Sequence, residues 1–306
     1  MKYKAAGALL LFTVLFTGLW WMNIRATENP VSDDNIKALI KEKYHIYAVP
    51  LPDSLNFAGE RVPLEFPYVR EKLDKELLIN VYWQSNTLLY IKRAAKFFPQ
   101  IEPVLKDFSI PDDFKYIALA ESGLQHITSP AGAKGIWQLM PTTARKYGLI
   151  VNKDIDERYN LEKATRAAAL YFREAKKRFG SWTLAAAAYN RGMNGLEKAV
   201  TDQKETDYYK LFLNPETSRY VYRIVALKEI LRHPDEYGFH VRKQDLYAPV
   251  PHKTLRISDS PIDWVETARR AGVSYGELRY MNPWIRSYSY ANKNRDTFIV
   301  KIPLFK

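Results

Sequence analysis

The chain has 306 residues, 47% of them hydrophobic and 26% charged, a length that suits about two domains with a sizeable core. It has no cysteine, which excludes disulfide scaffolds, thiolate nucleophiles, cysteine-zinc and iron–sulfur sites and a lipidated N-terminal cysteine. Lys+Arg 46 against Asp+Glu 34 leaves a formal charge of +12, which favours an anionic partner (nucleic acid, a membrane surface or an acidic polymer) unless it serves only solubility. Residues 5–24, AAGALLLFTVLFTGLWWMNI, carry no charge and as a helix reach ~30 Å, the thickness of a bilayer core. Lys2 and Lys4 precede this run and Arg25 alone follows closely, so the positive-inside rule leaves the N-terminus in the cytoplasm and the remainder outside. An uncleaved inner-membrane anchor and a cleaved signal peptide both stay open; the run is longer than a usual signal core, and no clean A-x-A site follows. Either way residues 26–306 are exported, which leaves out nucleic acid as the partner.

Residues 26–65 are polar and punctuated by Pro30, Pro50, Pro52 and Pro63, and read as a linker and wrapping segment. From about Tyr68 to Phe98 the apolar spacing predicts helix, ended by Pro99 and Pro103. Residues 1–25, 26–98, 99–235 and 236–306 are thus expected as anchor or signal, helical extension, main helical domain, and linker with a terminal module. In the main domain, helix starts are marked by Pro111-Asp112-Asp113, by Asn160 before LEKATRAAALYF and by Ser181 before WTLAAAAY. Seven of the thirteen glycines fall between 121 and 195; Gly123, Gly132 and Gly135 flank a polar loop, whereas Gly148 and Gly180 suit helix C-caps. Past a linker at Tyr247–Pro251 comes a small β-α-α-β module: a strand at Thr254–Ile257, a helix at Ile262–Ala271, a second helix opened by a Ser274/Glu277 capping box, and a strand at Thr297–Ile302.

Motifs for serine hydrolases, P-loops, zincins and dinucleotide binding are absent, and the five histidines are scattered, so no metal or cofactor is implied. The segment FKYIALAESGL (114–124) puts Glu121 at the end of an apolar helix turn. Apolar surroundings and the negative end of a helix both disfavour its anion and raise its pKa, as a general acid requires; a surface glutamate near a helix end is the alternative.

Three ordered motifs carry a family resemblance: ALAESGL with Glu121 and Ser122, SPAGAKGIWQLMPTTA (129–144) and AAYNRG (187–192). With PDDFKYIALAESGL, DERYNLEKATRAAALYF and SRYVYRIVALKEIL (218–231) they resemble the lytic transglycosylases with a soluble-lytic-transglycosylase, goose-lysozyme-like catalytic domain, across roughly residues 65–235. WVETARRAGVSYGELRYMNPWI and FIVKIP resemble a LysM module whose usual Gly-Asp-Thr opening is replaced by KTLRISDSP, which leaves glycan binding and structural capping as alternatives. The resemblance implies a mainly α, lysozyme-like fold with a helical N-terminal extension and a LysM-like end. It implies cleavage of the MurNAc-β-1,4-GlcNAc bond of peptidoglycan glycan strands, at the periplasmic side of the envelope, with a 1,6-anhydro-MurNAc product. The resemblance further implies a single carboxylate, Glu121, acting first as acid and then as base, and the motif region agrees with this, since no second carboxylate lies between Ser122 and Lys153. Asp154, Asp156, Glu157 and Glu162 read as structural, the first three in an exposed loop. Expected substrate contacts are Ser122, Gln138, Met140, Thr143, Tyr189 and Asn190. In these expectations Tyr189 also holds the Glu121 carboxyl, and Trp137 is either an apolar floor or core. A hydrolytic muramidase and a non-catalytic peptidoglycan-binding scaffold are the rival functions.

Overall fold

The computed structural model describes residues 33–43 and 45–305. The apolar run at 5–24 lies outside them; among the described residues no helix is long and apolar enough to cross a membrane. The chain divides between Ala48 and Val49. Before that point helix α1 (Asp33–Lys43) stands where a linker was expected.

The second unit begins with an antiparallel hairpin, β1 (Asn56–Phe57) and β2 (Glu60–Arg61). Leu55, Phe57, Val62 and Leu64 around it are buried, so this proline-rich stretch is part of the core rather than a free linker. Glu60 anchors it by accepting the backbone N–H groups of Trp182 (2.6 Å) and Thr183 (2.8 Å). These are orphan donors at the start of a later helix, where a carboxylate is favoured.

Helices α2 (Pro67–Tyr82) and α3 (Gln84–Asp107) follow. The expectation that Pro99 and Pro103 end the helix is wrong: α3 runs through both. Its apolar stripe, Ala94, Phe98, Ile101 and Leu105, continues in register across the prolines and is buried. Packing of that stripe outweighs the lost ladder bonds. A domain boundary drawn at 98/99 therefore falls inside a helix.

The main domain is helical: α4 (Lys115–Ser122), α5 (Pro141–Lys146), α6 (Leu161–Phe179), α7 (Trp182–Arg191), α8 (Met193–Gln203) and α9 (Pro215–Arg232). The expected starts of α6 and α7 hold: Asn160 accepts from the N–H of Lys163 (3.1 Å), and Ser181 from that of Leu184 (3.2 Å). Ala185–Ala188 are fully buried, as are Ala164, Ala167 and Ala168 of α6. Small side chains on both helices let α7 sink into the core. α4 is buried from Tyr116 to Ala120 and packs against α3 and α9, which fixes the helix whose last turn carries Glu121.

The C-terminal module has strands β3 (His252–Ile257) and β6 (Phe298–Pro303) paired antiparallel. Helices α10 (Trp264–Arg270) and α11 (Tyr275–Met281) lie between them. The Ser274/Glu277 capping box forms in both directions, at 2.7 and 3.2 Å. An additional ladder, β4 (Ile262–Asp263) with β5 (Ser289–Tyr290), was not anticipated. The module shares a core with the main domain: Ile155 and Tyr159 pack among Trp264, Trp284, Ile285 and Phe298.

Candidate active site

α4 ends at Gly123, whose φ of +59° turns the chain out of the helix. A Cβ there would lie 2.6 Å from the Tyr90 ring, so only glycine fits without displacing it. The loop that follows, 124–140, is tied back to the end of α4 by Ser122, whose hydroxyl reaches the Ile136 carbonyl (2.7 Å). Gly135, at φ +79°, passes so close to Arg158 that a Cβ would sit 2.0 Å from its carbonyl oxygen. Arg158 holds the loop from below by donating to the carbonyls of Gly132 (3.0 Å) and Leu139 (3.2 Å). It is itself fixed by two 2.8 Å bonds to Asp156. Asp156 and Glu157 are therefore not in an exposed loop, as the sequence suggested, but buried. Glu157 accepts from the N–H of Ile150 (2.8 Å) and pairs with Lys163. Their structural role is as expected.

Glu121 is partly exposed at the C-terminal end of α4. Desolvation lifts its carboxyl above the ordinary glutamate range. The hydroxyl of Tyr220 on α9, which donates to Glu121 Oε1, opposes this, as does the Arg223 charge. Glu216 at the start of α9 pushes in the same direction as desolvation. The result is a carboxyl biased towards its protonated form, with a phenol in contact.

The expected substrate contacts divide. Gln138, Met140, Thr143, Tyr189 and Asn190 line one cavity of about 570 Å³, together with Lys146, Glu174 and Arg178. Met140 is 40% exposed on that wall. Thr143 caps no helix, since Met140 occupies the N-cap of α5. Asn190 donates to Glu216 (3.0 Å) and accepts from Thr217 (2.8 Å), so it ties α7 to α9 as well as facing the cavity.

Two expectations need correction, and a third residue is more constrained than expected. Ser122 is buried and its one hydroxyl proton lies between the carbonyls of Ile136 (2.7 Å) and Ala118 (3.1 Å), so it holds the loop rather than presenting a free hydroxyl to a ligand. The Tyr189 hydroxyl has one proton, and it goes to the Trp137 carbonyl (2.6 Å). Tyr220 holds the Glu121 carboxyl in its place. Gln138 donates to the carbonyls of Gly135 (2.7 Å) and Ile127 (3.2 Å), which commits its amide nitrogen to the loop and leaves its oxygen for a ligand. Gln138 also holds φ +49°, a sparsely populated conformation for a side-chain-bearing residue, at the rim of the cavity. Trp137 is core: fully buried, with its indole N–H on Thr165 (2.8 Å).

Tyr220 and Glu216 are the site residues that motif reading missed. A tyrosine on the buried stripe of α9 was the available signal for the first, because a buried phenol needs a partner. Among the described residues no group of three His, Asp or Glu is arranged to hold a metal ion.

Residues 103–212 match the transglycosylase SLT domain, and residues 253–306 match the soluble lytic transglycosylase C-terminal LysM-like domain. The chain thus carries a lysozyme-like SLT transglycosylase domain followed by a LysM-like module. Among individual proteins it is similar to the membrane-bound lytic murein transglycosylase D of Escherichia coli (strain K12), 31% identical over 239 residues. That match takes in 75% of this chain and 51% of the relative, so the chain spans about half the relative's length. The same protein from E. coli O6:H1 matches equally. A solved structure, the 70 kDa soluble lytic transglycosylase from Escherichia coli, overlaps 48% of this chain and 26% of its own at 20% identity and a TM-score of 0.38.

Proposed function

We propose that the protein is a lytic transglycosylase of peptidoglycan glycan strands that works with Glu121 as its single acid and base. The carrying observation is the Glu121 carboxyl, raised by desolvation, held by the Tyr220 hydroxyl and near enough for its charge to act on Tyr189, which with Gln138, Met140, Thr143 and Asn190 lines the groove, although Glu121 itself is not among the groove's lining residues. The SLT domain match and the murein transglycosylase relatives support the substrate class.

In this reading a protonated Glu121 delivers its proton to the glycosidic oxygen between N-acetylmuramic acid and N-acetylglucosamine. The bond from that oxygen to the muramic C1 breaks, and the sugar's own acetamido group stabilises the electron-poor carbon. Glu121, now a carboxylate, removes the proton of the C6 hydroxyl. That oxygen closes on C1 to give the 1,6-anhydro ring, and no water is consumed. Tyr220 stabilises the carboxylate between the two proton transfers. The Gln138 amide oxygen accepts from a sugar hydroxyl, and Met140 supplies an apolar face. We place this activity at the periplasmic side of the cell envelope, with residues 5–24 as the inner-membrane anchor or export signal. That placement is supported by the charge pattern of the segment and the membrane-bound relatives.

Hydrolysis is the second reading, and one observation favours it. Glu216, which Asn190 binds at 3.0 Å, is a carboxylate close enough to act on Glu121 and is available as a base for an attacking water. Mass spectrometry of fragments released from purified peptidoglycan by residues 26–306 separates the two. Fragments ending in 1,6-anhydromuramic acid, lost with Glu121→Gln, are expected. Reducing ends one water heavier would make the protein a muramidase. Binding without release would make it a scaffold.

A further inference from the structure

A second cavity, about 550 Å³, lies on the seam between the main domain and the C-terminal module. Lys96 reaches it from α3, Arg279 from α11 and Lys301 from β6, and no carboxylate is among its lining residues. Among the described residues none of these three cations has a carboxylate partner. The Arg279 guanidinium lies over the Tyr275 ring (5.9 Å to its centre), and its Nε is buried without a hydrogen-bond acceptor, so the group keeps donor capacity that no carboxylate takes up. Lys96 donates to the Tyr280 hydroxyl (3.2 Å) and lies over that ring, so the two domains are joined by a contact at the cavity edge. Phe97 and Trp284 add apolar walls. The local field is positive: desolvation, with the Lys96 and Arg286 charges added, holds His126 on the same wall down to about 4.

Cations without counter-charges beside aromatic faces suit an amphipathic carboxylate. We infer that this seam cavity is a second ligand site, which takes the carboxylate-bearing peptide stem of peptidoglycan while the glycan occupies the Glu121 groove. The assignment of the acid to peptidoglycan rests on the transglycosylase reading; the cationic cavity does not. Because both domains supply its cations, an occupied site binds them together more tightly than an empty one.

The test uses the full chain carrying Glu121→Gln, which cannot turn its ligand over. It is titrated calorimetrically with a GlcNAc-MurNAc disaccharide bearing a tetrapeptide, and with the same disaccharide without peptide. Arg279→Gln with Lys301→Gln is expected to weaken the tetrapeptide ligand by about tenfold or more, the size of one charge-assisted hydrogen bond. The peptide-free ligand should be unchanged, Arg279→Lys should retain most of the affinity, and melting temperatures verify that the variants fold. Equal affinity for the two ligands, no measurable binding, or tetrapeptide binding indifferent to the seam variants would each overturn the inference. The catalytic reading has its own readout: in the Glu121 background the seam variants should release anhydro fragments from peptide-free strands at the wild-type rate. Absence of anhydro fragments even from the unaltered chain would remove that reading and leave the binding result to stand by itself.

Discussion

A carboxyl at the end of a buried helix is pulled both ways, and each pull at Glu121 has a named residue. Desolvation and Glu216 favour the protonated form; Tyr220 and Arg223 favour the anion. If Glu121 is the acid, kcat/KM falls as pH rises through its free-enzyme pKa. Tyr220→Phe removes a stabiliser of the anion and is expected to move this basic limb to higher pH. Glu216→Gln removes a repulsion and should move it to lower pH. A pH–rate profile checks both, and shifts in the same direction would disconnect Glu121 from the limb. The same pKa governs stability. With the folded-state value above the unfolded one, the folded protein binds more protons between the two, so stability falls as pH rises through that window. Glu121→Gln abolishes the penalty while costing at least the ~10²–10⁴ of proton transfer in rate. It should melt higher than the wild type near pH 7, with the gap closing below about pH 4, near the ordinary glutamate value. Glu121 was legible because burial and helix end are local features of ALAESGL. Tyr220 and Glu216 were not, because their link to it is made only by the packing of α9 on α4.

At the scale of elements, local signals were reliable where they act within one turn and failed where a distant partner decides. The caps at Asn160, Ser181 and Ser274 formed as read. The prolines of α3 did not break it, since packing against α6, far along the chain, stabilises its buried stripe. The loop 124–140 belongs to the second kind: the glycines were visible, but the Arg158–Asp156 pair beneath them was not. This gives a contrast between two glycines of nearly equal φ. Gly132, at φ +84°, has open space where a methyl group would go, whereas Gly135, at φ +79°, would bring that methyl to 2.0 Å from the Arg158 carbonyl. Gly132→Ala should cost only the left-handed backbone strain, about 1–2 kcal/mol. Gly135→Ala adds a backbone clash and should cost about 3 kcal/mol or more, with loss of activity as the loop shifts under Glu121. Urea unfolding of the two variants measures the difference; equal costs would mean that the Arg158 contact does not constrain the loop.

For the whole molecule, the question is whether the C-terminal module is a tethered bead or part of one folded body. Its composition and helix pattern suggested a separate small domain, and nothing in the sequence marks Ile155 or Tyr159 as its partners. Yet both are buried in its core. The backbone crosses the seam as well: Asp156 N–H donates to the Trp284 carbonyl (2.9 Å) and Arg286 N–H to the Asp154 carbonyl (2.8 Å). Two buried side chains at about 1.5–3 kcal/mol each, with two hydrogen bonds at about 1 kcal/mol, couple the parts by about 5 kcal/mol or more. That is comparable with the net stability of a small domain, so neither part gains by melting before the other. Calorimetry of residues 26–306 should therefore give one transition for both, with calorimetric and van't Hoff enthalpies equal. Ile285→Asp, which places a charge in the shared core, should lower that single transition as a whole. Two resolved transitions, with Ile285→Asp moving only the smaller, would make the module an independent bead, and the seam cavity would then lose the fixed walls that its cations need.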